Sequence, residues 1–440
     1  MGAFAIIWIG QVISLLGTQM SAFGLTVWAF EFTGSATVLA LVAFFYTLPL
    51  LLLSPIAGAL VDRFSRKWIM LFSDLASGLA TAAILLLYAT DQLQIWHLYV
   101  AGAFSGTFQS AQWPAFSAAI TTMLPKSLYG RANGMVALAE TGSGVFAPLL
   151  AGALLGTIGL AGILTIDVIT FLFAFSALLM VHIPAPAETD AGRKGRGSIW
   201  QESLYGFRYI WERPSLVGLQ VIFMAGNFID GIAFTLIAPL VLLRTGNNEL
   251  VYGAVNSIGA TGGIVGGLVM SIWGGPKRKI HTVLVGWALV GLFGTVFVGL
   301  GRGLVVWAIA SFLSAFLTPV INASYQAIWQ SKVAPDVQGR VFSVRRLIAW
   351  STSPLAILVA GPLADNIMEP AMQEGKTLAG MFAPLVGVGP GTGIALIFIF
   401  TGIVTTFIGL AGYFFHSVRE AEVLLPDHDQ EGEPVSPFIF

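Results

Sequence analysis

Apolar residues in this chain fall in long blocks separated by short polar breaks. A window of about 19 residues finds twelve blocks, near 4–30, 37–61, 68–90, 95–120, 132–156, 161–182, 216–243, 249–273, 281–300, 303–325, 341–365 and 393–416. At about 1.5 Å per residue each is long enough to cross about 30 Å of hydrocarbon. Their apolar residues lie on every side, so lipid or other helices must cover them all round. The pattern predicts an all-α membrane protein with twelve transmembrane helices. The first block lacks a basic leader and exceeds a signal-peptide core, so it is read as the first span.

The breaks divide the chain unequally. The widest, 183–215, opens on Pro184 and Pro186, continues as a Gly/Arg/Lys-rich linker and ends at Pro214. Within it Ser198 and Gln201 fit a capping box, and Trp200, Leu204, Phe207 and Trp211 recur at helical spacing. This predicts an amphipathic helix at the membrane surface. The chain is thus read as an N-terminal six-helix half (1–182), a cytoplasmic linker (183–215), a C-terminal six-helix half (216–418) and an acidic disordered tail (419–440).

Charge fixes an expected orientation. Of the 21 Lys and Arg, 18 fall in alternate breaks, among them Lys126, Lys277, Lys332, Arg340, Arg345 and Arg346; only Arg244, Arg302 and Lys376 fall opposite. The positive-inside rule then places both termini in the cytoplasm. Composition agrees with a multi-pass protein of the cell (inner or plasma) membrane: 56% of residues are hydrophobic and 10% charged, against about 25% charged in average soluble domains. A net charge of −1 argues against nucleic-acid binding by bulk electrostatics. With no Cys, five scattered His and no HExxH or GxSxG pattern, no enzyme or metal site is expected. The stretch from Pro370 to Thr377 lacks the first glycine of a P-loop, so no nucleotide site is expected.

One break carries unusual chemistry. Between the second and third blocks stand Gly58, Asp62, Arg63, Arg66 and Lys67. The cations suit a helix C-terminus, but Asp62 does not, unless it also faces a neighbouring helix N-terminus or a fixed arginine. This spacing, G-x-x-x-D-R-x-x-R-K, resembles the loop between the second and third helices of the major facilitator superfamily. The halves also echo each other. Pro125, Gly130 and Arg131 precede the fifth block as Pro335, Gly339 and Arg340 precede the eleventh. Gly267, Lys277, Arg278 and Lys279 follow the eighth block without an acid matching Asp62. Two parallel six-helix repeats are the architecture the resemblance implies. It also implies that Asp62 docks on the N-terminus of the eleventh helix as part of a cytoplasmic latch.

The segments at Trp8–Gln11, Trp28–Ala36, Leu53–Pro55, Thr165–Asp167 and Trp273–Lys279 narrow the resemblance to the drug:proton antiporter branch, with its macrolide-efflux-type exporters. The chain departs from that branch at Ala147, Pro148, Ala151 and Gly152, where its antiporter motif ideally ends G-P-x-x-G-G. The resemblance implies a monomeric secondary transporter in the lipid bilayer, with no cofactor and a proton as coupling ion. It would export hydrophobic or amphiphilic, drug- or macrolide-like molecules by rocker-switch alternating access. A facilitator of a lipid-like or siderophore-like solute, and a non-transporting membrane sensor on the same fold, are the alternatives.

In that fold the first, fourth, seventh and tenth helices line a central cavity. Their polar and aromatic residues, Gln11, Gln19, Gln109, Gln112, Trp113, Asn227, Asn322, Tyr325 and Gln326, are the candidate substrate contacts. Four acids fall inside blocks: Asp74, Glu140, Asp167 and Asp230. An intramembrane carboxylate costs about 2.5–3.5 kcal/mol on insertion scales, which marks each as a functional candidate. No Lys or Arg is expected at their depth. Asp74 and Asp167 are read as structural, and Asp230 and Glu140 as the proton-coupling candidates.

Overall fold

Gly2–Thr33 (α1), Ala36–Arg63 (α2), Arg66–Ala89 (α3), Ile95–Met123 (α4) and Tyr129–Met180 (α5) make the first half of the molecule. The computed structural model describes residues 2–33, 36–185, 198–246 and 248–428, and among these every regular element is a helix. Gly34, Ser35 and the linker cations Arg193, Lys194 and Arg196 lie outside the described residues.

α5, with 52 residues, is far too long for one crossing. Gly159 breaks it at φ 66°, a left-handed conformation that glycine adopts without strain. The two arms are the fifth and sixth spans. After the linker helix Ile199–Trp211 (α6) come Pro214–Arg244 (α7), Glu249–Trp273 (α8), Lys279–Leu300 (α9), Leu304–Lys332 (α10), Gln338–Ala371 (α11), Thr377–Val386 (α12) and Thr392–Phe414 (α13). His416–Arg419 (α14) and Ala421–Leu424 (α15) close the described chain.

Ten of these elements are long and apolar enough to cross a membrane, with α5 counted once. α4 has 29 residues but is not among them, because Thr107, Gln109, Ser110, Gln112, Ser117, Thr121 and Thr122 interrupt its apolar run. Counting both arms of α5 and including α4 gives twelve membrane-length helices among the described residues.

Two sequence expectations need correction. Arg345 and Arg346 were assigned to a basic break, but α11 begins at Gln338 and carries them two turns into the bundle. The tail was expected to be disordered from 419. Instead α14 and α15 order its first part, and Glu420, Glu422 and Asp427 are pinned to Arg278, the Ile280 amide and Lys332. A cluster of fixed cations offsets the ordering cost that composition alone could not meet.

The packing cores show how the halves meet. Beyond the middle of the bundle each half keeps its own core: Ile84, Leu98, Leu160 and Leu164 in one, Val298, Trp307, Ile394 and Leu396 in the other. Toward the face bearing Arg63, Arg66 and Lys67, here the basic face, the cores cross. Ala327 joins Phe4, Ile120 and Tyr129, and Trp113 packs on the cluster of Phe223, Tyr325 and Trp329. The halves are joined at one face and separate toward the other.

Candidate functional site

The seal at the basic face starts from glycine. Gly58 on α2 and Gly339 on α11 pack backbone to backbone; a Cβ on Gly58 would overlap Ser343 Oγ and the Gly339 carbonyl. This approach brings the C-terminal end of α2 against the N-terminal end of α11. Asp62 Oδ1 accepts the Gly339 amide at 2.7 Å, and Oδ2 accepts the Arg340 amide and Arg340 Nε at 2.9 Å each. The side chains of Asp62 and Arg340 are 1% and 4% exposed, so this is a desolvated ion pair. Val337, the residue at the cap position of α11, makes no side-chain cap. Asp62 fills that role from the other half, which removes the conflict with its own helix dipole.

The rest of the loop also reaches outward. Arg66 donates to the carbonyls of Ala118 and Pro335, joining α3 and α4 to the break before α11. Arg63 pairs with Glu202 of α6 at 2.8 Å, and Lys67 donates to the Leu179 carbonyl at 2.7 Å. α6 is capped reciprocally by Ser198 and Gln201. Its Trp200, Leu204 and Trp211 are exposed, a face suited to the membrane surface. Gly58→Ala is expected to widen the distance across the basic face while the protein still inserts. Spin-label distances between residues flanking Gly58 and Ser343 check this; a wild-type distance would show that the close approach is not required.

The repeat supplies a second seal without the acid. Gly130 and Gly134 on α5 meet Gly274, Ser271 and Met270 at the end of α8, and Gly267 meets Leu138. Between the two seals Asn133 Nδ2 donates to Gln330 at 2.6 Å, Gln330 to the Ser117 carbonyl at 3.0 Å, and Thr121 to Gln338 at 2.9 Å. Asp427 adds a strap, taking Lys126 of one half at 3.1 Å and Lys332 of the other at 2.9 Å. Burial raises the Asp427 carboxyl, but hydrogen bonds and charge pairing with Lys332 and Lys126 outweigh it and hold it below the usual carboxylate range. A depressed folded-state value means the strap is intact at neutral pH and is lost as pH falls through that depressed value. Asp427→Asn is expected to shift the two-state balance by less than tenfold, as suits a carboxylate that keeps 30% of its side chain exposed to water, in pairs worth about 1 kcal/mol or less. The same distance measurement reads it, and a shift as large as that of a buried pair would contradict this ranking.

Above these seals the halves part. Gly263 still meets Thr141, but Gly142, Gly144, Gly152 and Gly156 farther along α5 have nothing within 4 Å of a built Cβ. No neighbouring helix uses those four glycines for close approach. Phe44, Tyr46, Phe146, Leu149, Leu355 and Leu358 on the parting helices are exposed.

The cavity candidates divide into three kinds. Gln11 and Gln112 donate to Asp74 at 2.9 and 2.8 Å, and Gln109 donates to Ser77 at 3.1 Å, so all three bridge helices of one half. Asn227 donates to the Ala349 carbonyl at 3.2 Å. Gln19 and Asn322 are exposed. Trp113, Tyr325 and Gln326 gather at the floor of the cleft, where Gln326 bonds Ser117 across the halves and Tyr325 stacks on Phe223 with centroids 3.5 Å apart.

Among the acids, Asp74 is held by the two glutamines, and Asp167 by Thr18 and Thr81 at 3.1 and 3.0 Å. Both tie α1 to its neighbours. Asp167→Asn is expected to cost about 1–3 kcal/mol by leaving buried donors mismatched, read as a lowered melting temperature. Unaltered melting with lost transport would overturn that structural reading. Glu140 and Asp230 are exposed and have no hydrogen-bond or ion-pair partner among the described residues. Glu140, however, lies within electrostatic reach of Arg346 on the opposite half. The expectation that no cation shares its depth is therefore corrected, because Arg345 and Arg346, counted with a basic break, lie inside α11. Arg345 and Arg346 are the site residues that the hydropathy and charge pattern does not reveal. Their adjacency to Gly339 and Arg340 was the available signal, and it read as a loop.

Residues 7–357 match the family model described as Major Facilitator Superfamily. Macrolide efflux protein A of Streptococcus pyogenes is 24% identical over 366 residues, covering 83% of this chain and 90% of that protein. The multidrug efflux pump Tap of Mycolicibacterium fortuitum is 29% identical over 370 residues, covering 78% and 85%. Among solved structures, a bacterial homologue of the iron transporter ferroportin in the outward-facing state aligns with a TM-score of 0.68 at 14% identity, covering 93% of this chain and 98% of that one. The E. coli fucose:proton symporter aligns at 0.66 and 12% identity with the same coverage.

Proposed function

The chain belongs to the Major Facilitator Superfamily, and from that premise we propose that it exports hydrophobic or amphiphilic small molecules across the cell membrane by proton antiport. It is a multi-pass membrane transporter, not an enzyme. The observation that carries the reading is the one-sided seal. Asp62 and Arg340 lock the basic face, while farther along the first arm of α5 Gly142, Gly144, Gly152 and Gly156 meet nothing, above a floor of Trp113, Tyr325 and Gln326.

With the basic face in the cytoplasm, this arrangement is an outward-open state. Rocking of the halves about the floor would close the outer cleft and break the Asp62 seal, giving alternating access. The lining supports bulky amphiphiles because its contact area is aromatic and its polar groups are few. The names of the efflux relatives support the direction of transport. Glu140 is the favoured proton carrier, since it alone of the four acids stands opposite a cation of the other half. Accumulation of a chemically diverse compound panel, in cells with and without the protein, tests the export reading. Lower accumulation of amphiphilic members is expected. No difference across the panel would remove export as the function.

A further inference from the structure

We propose that Arg345, with Arg346 beside it, forms an anion subsite at the cleft floor that takes the carboxylate or equivalent acidic group of an amphiphilic substrate. The proposal deepens the export reading and rests on it. Arg345 lies about 10 Å into α11 and is 5% exposed. Its guanidinium stands in an aromatic box, with Tyr325, Phe342, Trp329 and Trp113 centroids at 4.9, 5.2, 5.4 and 5.5 Å. Its one hydrogen bond is from Nη2 to Gln326, and Nη1 is buried with no partner.

No carboxylate lies within 4.0 Å of Arg345 or Arg346 among the described residues, and Glu140 acts on Arg346 alone. Cation–π contacts recover only part of the cost of desolvating a guanidinium. A methionine or leucine would fill the same box at lower cost. What remains is a fixed positive charge with a free donor, walled by rings. Its complement is a carboxylate, which suits the planar fork of arginine, attached to an apolar body that can stack.

The box also has a door. Phe342 and Trp329 are fully buried and Tyr325 nearly so, whereas Trp113 is half-buried and belongs to the opposite half. Arg346 lies over the same Trp113 ring at 5.2 Å. Movement of Trp113 would uncover the Arg345 guanidinium beside the half-buried Arg346.

The test uses purified full-length protein and two dansyl probes, dansylglycine and its neutral methyl ester. Binding is read by energy transfer from tryptophan, and export by flux from vesicles. The wild type is expected to bind the acid at least tenfold more tightly than the ester. In Arg345→Gln the acid-to-ester ratio should fall to near one, and Arg345→Lys should restore part of it. If Arg345→Gln does not fold, the ratio in Arg345→Lys and Arg346→Gln decides, with at least a threefold fall expected in each. Equal binding of acid and ester by the wild type, or an undiminished ratio in the variants, would make Arg345 a structural cation and overturn the subsite. Export of neutral amphiphiles without acid preference would remove the subsite and leave the exporter. Acid preference in binding without vesicle export would do the reverse.

Discussion

Asp62→Asn is expected to shift the protein away from the state with a sealed basic face by about two orders of magnitude. Asp62 accepts three hydrogen bonds from Gly339 and Arg340, and both charged side chains are buried. Removing one member of such a pair leaves the other charge uncompensated, at a cost of about 3–5 kcal/mol. That cost falls on the sealed state alone, because opening the face returns Arg340 to water. Each 1.4 kcal/mol is about tenfold in the equilibrium, so about 3 kcal/mol gives the stated shift. Asparagine keeps the size, so membrane insertion and yield should hold while transport falls. Label distances across the basic face should widen in the variant without substrate. A wild-type distance distribution with wild-type transport would show that Asp62 does not hold the seal.

The repeat sharpens this expectation. At the matching position after α8 there is no acid, and the seal consists of Gly130 and Gly134 against the turn at Gly274. Lys277→Ala, on the acid-free side, should therefore leave that distance nearly unchanged. An equal shift in both variants would mean that general positive charge, not the Asp62 cap, sets the balance.

The oddity of Asp62 was visible in the sequence because a carboxylate at a helix C-terminus conflicts with the dipole; only the resemblance named a partner for it. The spans were legible for the same reason that they form, since lipid requires apolar residues on every side. α4 lay closest to the limit, because it spends its polar residues on contacts such as Ser117 with Gln330 and Gln112 with Asp74. Arg345 and Arg346 were not legible. The apolar block at 341–365 spans both, but two arginines near its start read as part of the basic break, whereas α11 starts at Gln338 and carries them inward among aromatic rings. The glutamines were legible as polar residues in the bundle but not by role. Gln11 and Gln112 serve Asp74, while Gln326 reaches across the halves, and only three-dimensional placement separates those uses.

Glu140→Gln is expected to abolish accumulation against a gradient while downhill exchange persists. Glu140 sits on the first arm of α5, exposed and without a hydrogen-bond partner among the described residues, and Arg346 of α11 is its electrostatic counterpart across the cleft. An ionised Glu140 would attract Arg346 across the floor, and protonation would remove that attraction. Glutamine fixes the neutral condition, so the cycle would lose the step that couples proton entry to return of the empty carrier. In vesicles with substrate flux and internal pH followed together, uphill transport should fall at least tenfold and substrate-linked proton flux should vanish. Asp230→Asn, tested beside it, should have the smaller effect, since no charged partner faces Asp230 among the described residues. Uphill transport with undiminished proton flux in Glu140→Gln would pass the coupling role to Asp230. If the wild type itself does not respond to the proton gradient, antiport fails and facilitated diffusion through the same cleft becomes the better account.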